Sequence, residues 1–263
     1  MSILQDASLL KSHQYKDANN LNARIQLHQR FSTNPYDWFL WVFDQFDIPP
    51  QAIILELGCG PGDLWLKNKH RIPDRWHVIL SDFSIGMVSE ARNSLMDRQF
   101  SFAVCDVGAI PHDDNYFDAI IANHFLYHVR DRVSALKEIR RVLKLGGRFY
   151  ATTVGDTHLG ELSELVRRFH TPARKFIPET LAFTLDNGKS HLASVFPEVR
   201  VMRQNNDLKV TEVEPLANYI LSCIDYGIDT DQRDDLFSFI QLELRQNNSE
   251  IFIHKDSGLF EAC

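Results

Sequence analysis

A run of apolar residues ending at a cluster of glycines constrains this chain more than anything else in it. Ile53-Ile54-Leu55-Glu56-Leu57 is apolar but for one acid, and Gly58-Cys59-Gly60-Pro61-Gly62-Asp63-Leu64 follows at once. Apolar residues at consecutive positions predict a strand covered on both faces, as in a parallel sheet. The glycines predict a tight turn into a helix, because a residue without Cβ adopts positive φ freely and lets a ligand reach the backbone. In open α/β sheets, ligands bind at such turns, beyond the carboxyl ends of the strands. An α/β protein with a site at the tip of its first strand is the expectation.

The spacing narrows the ligand. A dinucleotide turn reads G-x-G-x-x-G/A and rests a pyrophosphate on the helix that follows. Gly58 and Gly60 fit, but the third position is Asp63, whose charge would repel a phosphate placed there. S-adenosylmethionine (SAM) has no phosphate and carries an ammonium and a sulfonium, which suit an acidic loop. The turn therefore favours SAM over a nicotinamide dinucleotide, and an oxidoreductase is disfavoured.

Further acids stand where later strands should end. His77-Val78-Ile79-Leu80 runs into Ser81-Asp82, and a carboxylate there can accept hydrogen bonds from both hydroxyls of a ribose. Phe100 to Cys105 runs into Asp106-Val107, an acid for an adenine amino group beside an apolar side chain for the ring. Phe117 to Ala122 opens into Asn123-His124, beside the expected methyl donor. One such acid alone reads as a solvated loop residue; strand ends in register with a glycine turn read as one shared site.

The segments LELGCGPGDLW, LSDFSIGMVSEAR, VCDVGAIPHDDNYFDAIIANHFLYHV and EIRRVLKLGGRFYATTVG resemble the successive motifs of Rossmann-like class I SAM-dependent methyltransferases. The resemblance is to the type 11 small-molecule branch that includes ubiquinone and menaquinone biosynthesis enzymes, and it covers roughly residues 50 to 155. It implies a seven-stranded, mostly parallel sheet with helices on both faces, an N-terminal helical cap (1–48), a SAM-binding core (49–157), and lid helices with closing strands (158–263). It implies that Gly58, Gly60 and Gly62 contact the methionine part of SAM, that Asp82 holds the ribose, and that Asp106 with Val107 holds the adenine. Glu56, Cys59, Phe83, Met87 and Asn123 complete the implied cofactor set, with S-adenosylhomocysteine (SAH) as product. Leu145 stands where the family usually has proline before Gly146-Gly147, a turn that two glycines can still make.

Outside that core the chain reads as mostly helical. A first helix carries Tyr15, Leu21, Arg24, Ile25 and Phe31, and in similar methyltransferases such a leader folds over SAM, which would bring Arg24 to the SAM carboxylate unless it forms a surface ion pair. Asn34-Pro35 reads as the start of a second helix, with asparagine as cap and proline at the first helical position. That helix carries Trp38, Phe39, Trp41, Val42 and Phe46, aromatics expected to pack on the sheet or to line a pocket. Leu159, Leu162, Leu165 and Phe169 mark one face of a helix over 158–169. Pro172 and Pro178 break the chain, Val199–Met202 reads as a sixth strand, Pro215 opens a helix, and another spans about 232–246. Ile251-Phe252-Ile253 and Leu259-Phe260 read as a closing hairpin around Asp256-Ser257-Gly258. Phe176, Phe183 and Trp38 are equally pocket aromatics for an apolar substrate or core residues.

Composition agrees with a cytoplasmic enzyme. The formal charge of −7 argues against sequence-independent nucleic-acid binding, which needs clustered Lys and Arg. Arg140, Arg141, Lys144 and Arg148 alternate with apolar residues at helical spacing and read as a solvated helix face. The four cysteines have no C-x-x-C pairing or zinc spacing, and no apolar run is long enough to span a membrane. No metal is expected.

SAM brings its own electrophile, so alignment of the acceptor and exclusion of water carry much of the rate. A base is needed only when the acceptor keeps its proton at neutral pH. His124 is the candidate base. Tyr127 and His128 either face the substrate or pack the next helix, and His158 is a further pocket candidate. Transfer to a small molecule is favoured over transfer to tRNA or protein: there is no basic patch, and Asn123-His124-Phe125-Leu126 replaces the N-P-P-[YF] of amino-adenine methylation. A non-catalytic SAM binder is the third class, although such a protein would be expected to lose the glycines or the ribose acid.

Overall fold

The computed structural model describes residues 19–97, 99–170, 183–223 and 226–263; Tyr15, Pro172, Lys175, Phe176 and Pro178 lie outside them. Seven strands, β1 (Ala52–Leu57), β2 (Trp76–Asp82), β3 (Phe100–Val104), β4 (Phe117–Ala122), β5 (Leu143–Val154), β6 (Val199–Val210) and β7 (Ile251–Ala262), form one sheet in the order β3-β2-β1-β4-β5-β7-β6. The sheet is mostly parallel: β1 runs parallel to β2 and β4, β2 to β3, and β4 to β5. β1 thus has β2 on one side and β4 on the other, which makes its carboxyl end the switch point where a crevice opens in such sheets.

Nine α-helices among the described residues accompany the strands: α1 (Asn19–Phe31), α2 (Trp38–Asp44), α3 (Asp63–Lys67), α4 (Ile85–Ser94), α5 (Arg132–Val142), α6 (Gly160–Phe169), α7 (Gly188–Leu192), α8 (Val213–Leu221) and α9 (Arg233–Gln246). The central strands are covered on both faces, as their unbroken apolar runs predict. Leu55, Leu57, Ile120 and Phe149 pack with Leu136, Ile139 and Val142 of α5. Ile54, Val78, Ile121 and Tyr150 pack with Val42, Phe43, Leu64, Trp65 and Ala91 of α2, α3 and α4. The alternation along each strand sorts its side chains between these two cores.

The chain divides into two compact units. One takes its described residues from Trp38–Gly155, Ala182–Gln204 and Gly258–Cys263, and holds both cores just described. The other takes its described residues from Met1–Asp37, Asp156–Leu181 and Asn205–Ser257. Its own core joins Leu27 and Phe31 of α1 to Leu162 and Val166 of α6, Leu216 and Ile220 of α8, and Leu236 and Ile240 of α9.

Three expectations need correction. The second helix begins at Trp38, because the Asn34 side chain accepts from the Tyr36 amide at 2.9 Å and so makes a local turn instead of a helix cap. The closing hairpin is one continuous strand, β7, and the sixth strand reaches Val210. Gly258 interrupts the pattern for a packing reason: a Cβ there would sit 2.4 Å from the Met202 carbonyl oxygen of β6. Of the two readings open for Phe183, the core one holds: it is buried and edge-to-face with Phe260 at 5.7 Å.

Gly146 has φ +74° within β5, where the register against β4 slips between Phe117↔Leu143 and Ala119↔Arg148. The glycine turn therefore survives leucine at 145, which points into solvent. No helix among the described residues is long and apolar enough to cross a membrane.

Candidate active site

The site is built from the tip of β1. Gly58, Gly60 and Gly62 all adopt left-handed φ, of +71°, +54° and +89°. A Cβ on Gly58 would lie 2.5 Å from the Phe125 ring, and one on Gly62 would lie 2.7 Å from Leu95 Cδ1. Two of the three glycines are thus required by both conformation and space, and together they leave bare backbone at the carboxyl edge of the sheet. The amide of Cys59 donates to the Ser81 carbonyl at 2.9 Å and ties the turn to β2.

Asp82, buried at the end of β2, braces the same turn. Its Oδ2 accepts from the Gly60 amide at 3.1 Å and its Oδ1 from the Ser84 amide at 2.8 Å. Ser84 in turn caps α4 by accepting from the Met87 amide. Phe83 is half-buried beside it and Met87 is buried. Beyond β3, Asp106 is exposed with Oδ1 on the Gly108 amide at 2.8 Å, and Val107 is buried in the core.

Glu56 lies one residue before the end of β1 and is buried. Its Oε2 accepts from the Trp65 indole at 2.6 Å and its Oε1 from the Asn123 amide at 2.9 Å. Burial pushes its carboxyl up to about 8; Asn123 and Trp65 pull the other way, and the charges of Asp82 and Asp63 add to the rise. The Cys59 thiol is pushed up as well, by burial and by Glu56 and Asp82. The crevice is therefore acidic, and no cation among the described residues contacts the Glu56 carboxyl.

The tip of β4 forms the other wall. Thr152 of β5 accepts the His124 amide at 2.9 Å and donates to Asn123 Oδ1 at 3.3 Å. His124 is held at φ +46°, a conformation few residues other than glycine adopt and one that clusters at functional sites. Its ring lies 5.5 Å from Trp38 and 6.3 Å from Tyr127, and Tyr127 meets His128 edge-on at 4.5 Å. Trp38 stacks on Trp41 at 5.3 Å, and its buried indole nitrogen has no acceptor among the described residues.

The structure thus gathers Glu56, Gly58, Gly60, Gly62, Asp82 and Asn123 at neighbouring strand tips, with Trp38, His124, Tyr127 and His128 along the β4 side. Arg24 and His158 lie in the other unit. Arg24 donates to the Ser222 carbonyl at 2.6 Å, and buried His158 accepts the Asp256 amide at 3.1 Å. The sequence reading missed Trp65, Thr152 and Phe125. Trp65 alone left a trace, an indole in the first turn after the glycines, within reach of the one acid in an apolar strand.

Strand order, glycine turn and strand-tip acids together define a Rossmann-like class I methyltransferase domain. The type 11 family described as "Methyltransferase domain" matches residues 55–151 of this chain. The ubiquinone/menaquinone biosynthesis C-methyltransferase UbiE of Vibrio cholerae is 33% identical over 132 residues, 49% of this chain and 51% of that protein. The chain spans about half the length of the curated relatives it matches.

Among solved structures, phosphoethanolamine N-methyltransferase 2 of Haemonchus contortus, in complex with phosphomonomethylethanolamine and SAH, aligns with TM-score 0.60 and 18% identity. That alignment covers 100% of this chain and 60% of that one. The YcgJ protein of Bacillus subtilis aligns with TM-score 0.55 and 17% identity over 85% of this chain and 95% of that one.

Proposed function

We propose that this protein transfers the methyl group of SAM to an atom of a small organic molecule. The observation that carries the proposal is the β1 tip, where three left-handed glycines stand at the switch point between Asp82 and Glu56. The residues fit SAM: a Cβ would fill the turn at Gly58 and Gly62, and the acids present suit a ligand that is cationic and carries no phosphate. When bound, SAM supplies a methyl group on an electrophilic sulfonium.

In this reading the glycine turn, with Cys59, holds the amino-acid end of SAM against bare backbone. Asp82 braces the turn through Gly60, and its carboxylate is the acceptor for the ribose hydroxyls. Asp106 accepts from the adenine amino group, while Val107, Phe83 and Met87 border the nucleoside. Asn123 is fixed by Glu56 and Thr152, so the β4 tip is rigid where the methyl acceptor must be aligned. His124, strained and set among Trp38 and Tyr127, takes the acceptor's proton where the acceptor is a hydroxyl. Trp38, Tyr127 and His128 border the acceptor.

A small acceptor is supported by the net charge of −7 and by the small-molecule enzymes among the relatives. The cytoplasm, where SAM is made, is the proposed location. Asp82→Ala is expected to weaken SAH binding by roughly 1–3 kcal/mol, the range for a charged hydrogen-bonding group. Unchanged affinity in calorimetry would remove the ribose assignment. Isotope-labelled methyl from SAM, supplied with a cell extract, should enter the small-molecule fraction; label in RNA or protein would replace the substrate class.

A further inference from the structure

We propose that the unit built around α1, α6, α8 and α9 holds a binding site for a small oxyanion, a carboxylate or a phosphate group, with the Lys255 ammonium and the Ser257 hydroxyl as its donors. The inference goes beyond methyl transfer and stands without it.

Alternation along β7 puts Ile253, Lys255 and Ser257 on one face of the strand. Ile253 belongs to the apolar core of this unit, with Leu27 of α1 and Leu216 of α8. The next two residues on that face are polar and nearly as deeply buried, Lys255 at 8% exposure and Ser257 at 6%. An ammonium buried to this extent is normally paired. Here no acceptor bonds to it among the described residues, and the Ser257 hydroxyl has no partner among them either.

The neighbours that could have served are committed elsewhere. β6 and β7 are adjacent, and the His254 ring meets Asp207 at 2.9 Å, which brings Asn206 beside Lys255 on the shared face. Asn206 Oδ1 accepts from the Ser32 hydroxyl at 2.8 Å and the Asn34 amide at 3.1 Å, and its Nδ2 donates to Ser32 Oγ at 2.6 Å. Asp207 alternates to the opposite face of β6, where its Oδ1 takes the His254 ring and, at 3.1 Å, the Lys255 backbone amide. The acid thus holds the main chain of Lys255 and leaves the ammonium. Burial draws that ammonium down to about 8, with the charge of Asp207 working against the shift, so the group keeps its proton at neutral pH.

What both groups lack is an acceptor. Residues two apart on a strand face are separated by about 7 Å, a distance the lysine stem spans, so both donors reach one oxyanion. An oxyanion offers acceptors only and supplies the missing charge. A cation would be repelled, and a neutral ligand would leave the ammonium unpaired.

The test is thermal unfolding of the full chain at neutral pH and constant ionic strength in chloride, acetate or inorganic phosphate. Phosphate also stabilises proteins by exclusion from their surface, so the quantity read is the gain of the wild type beyond that of Lys255→Met. An anion at about ten times its dissociation constant should raise the wild-type midpoint by roughly 3–6 °C more than that of the variant. A gain from phosphate alone identifies a phosphate group as the ligand, and one from acetate alone a carboxylate. Equal gains in wild type and Lys255→Met overturn the site. In chloride, Lys255→Met should be at least as stable as the wild type, because it removes an unpaired buried charge and keeps the volume; a less stable variant makes the lysine structural and overturns the proposal too. Ser257→Ala keeps the lysine and should show only part of the wild-type gain. If Lys255→Met does not fold, the full gain in Ser257→Ala overturns the assignment.

Discussion

Valine at position 58 is expected to abolish SAH binding, with affinity falling at least ~100-fold. Two separate effects act there. A β-branched residue at φ +71° is strained by about 1–3 kcal/mol. Its Cβ would also meet the Phe125 ring at 2.5 Å, so the ring must move. Phe125 directly follows His124, so the displacement reaches the β4 tip as well as the turn.

Gly146→Val separates these effects. Gly146 has nearly the same φ, +74°, but nothing stands within 4 Å of the position its Cβ would take. It should lose thermal stability from backbone strain and keep wild-type affinity for SAH. Calorimetry on the two variants decides the matter: wild-type affinity in Gly58→Val would show that the β1 turn is structural only.

The glycine turn was legible in the sequence because it depends on local rules. Residues 53–64 state their own strand, turn and helix, and Asp82 announces the end of β2 in the same way. What escaped depends on contacts between distant segments. Gly258 looks like a turn residue in sequence, and only the approach of the Met202 carbonyl shows why a strand needs glycine there. Asn34-Pro35 carries a helix-start signal that a competing side-chain hydrogen bond to Tyr36 overrides.

The site divides along the same line. Glu56 could be picked out as the one acid in an apolar strand, but its partners Trp65 and Asn123 become visible only when α3 and β4 converge on it. Thr152, which fixes both Asn123 and His124, carries no signal at all: a threonine in a strand is the ordinary choice. The strain at His124 is likewise set by its surroundings and not by its residue type.

Glu56→Gln is expected to remove part of the pH dependence of the protein's stability. Glu56 titrates near 4.5 in the unfolded chain and about 8 in the folded one. Between those values the folded state holds a proton that the unfolded state has lost, so stability falls as pH rises and is constant again above about 8. A shift of this size corresponds to on the order of 4–5 kcal/mol. Glutamine cannot ionise. Its oxygen can keep the Trp65 hydrogen bond, and its amide can donate to Asn123 if that side chain turns to present its oxygen. In ligand-free protein, chemical denaturation at pH 5.5 should find the two forms within about 1 kcal/mol, and at pH 8.5 the variant should be more stable by several kcal/mol. A difference independent of pH would show that Glu56 is ionised throughout. The expected gain marks Glu56 as an acid held in the folded chain at the expense of stability.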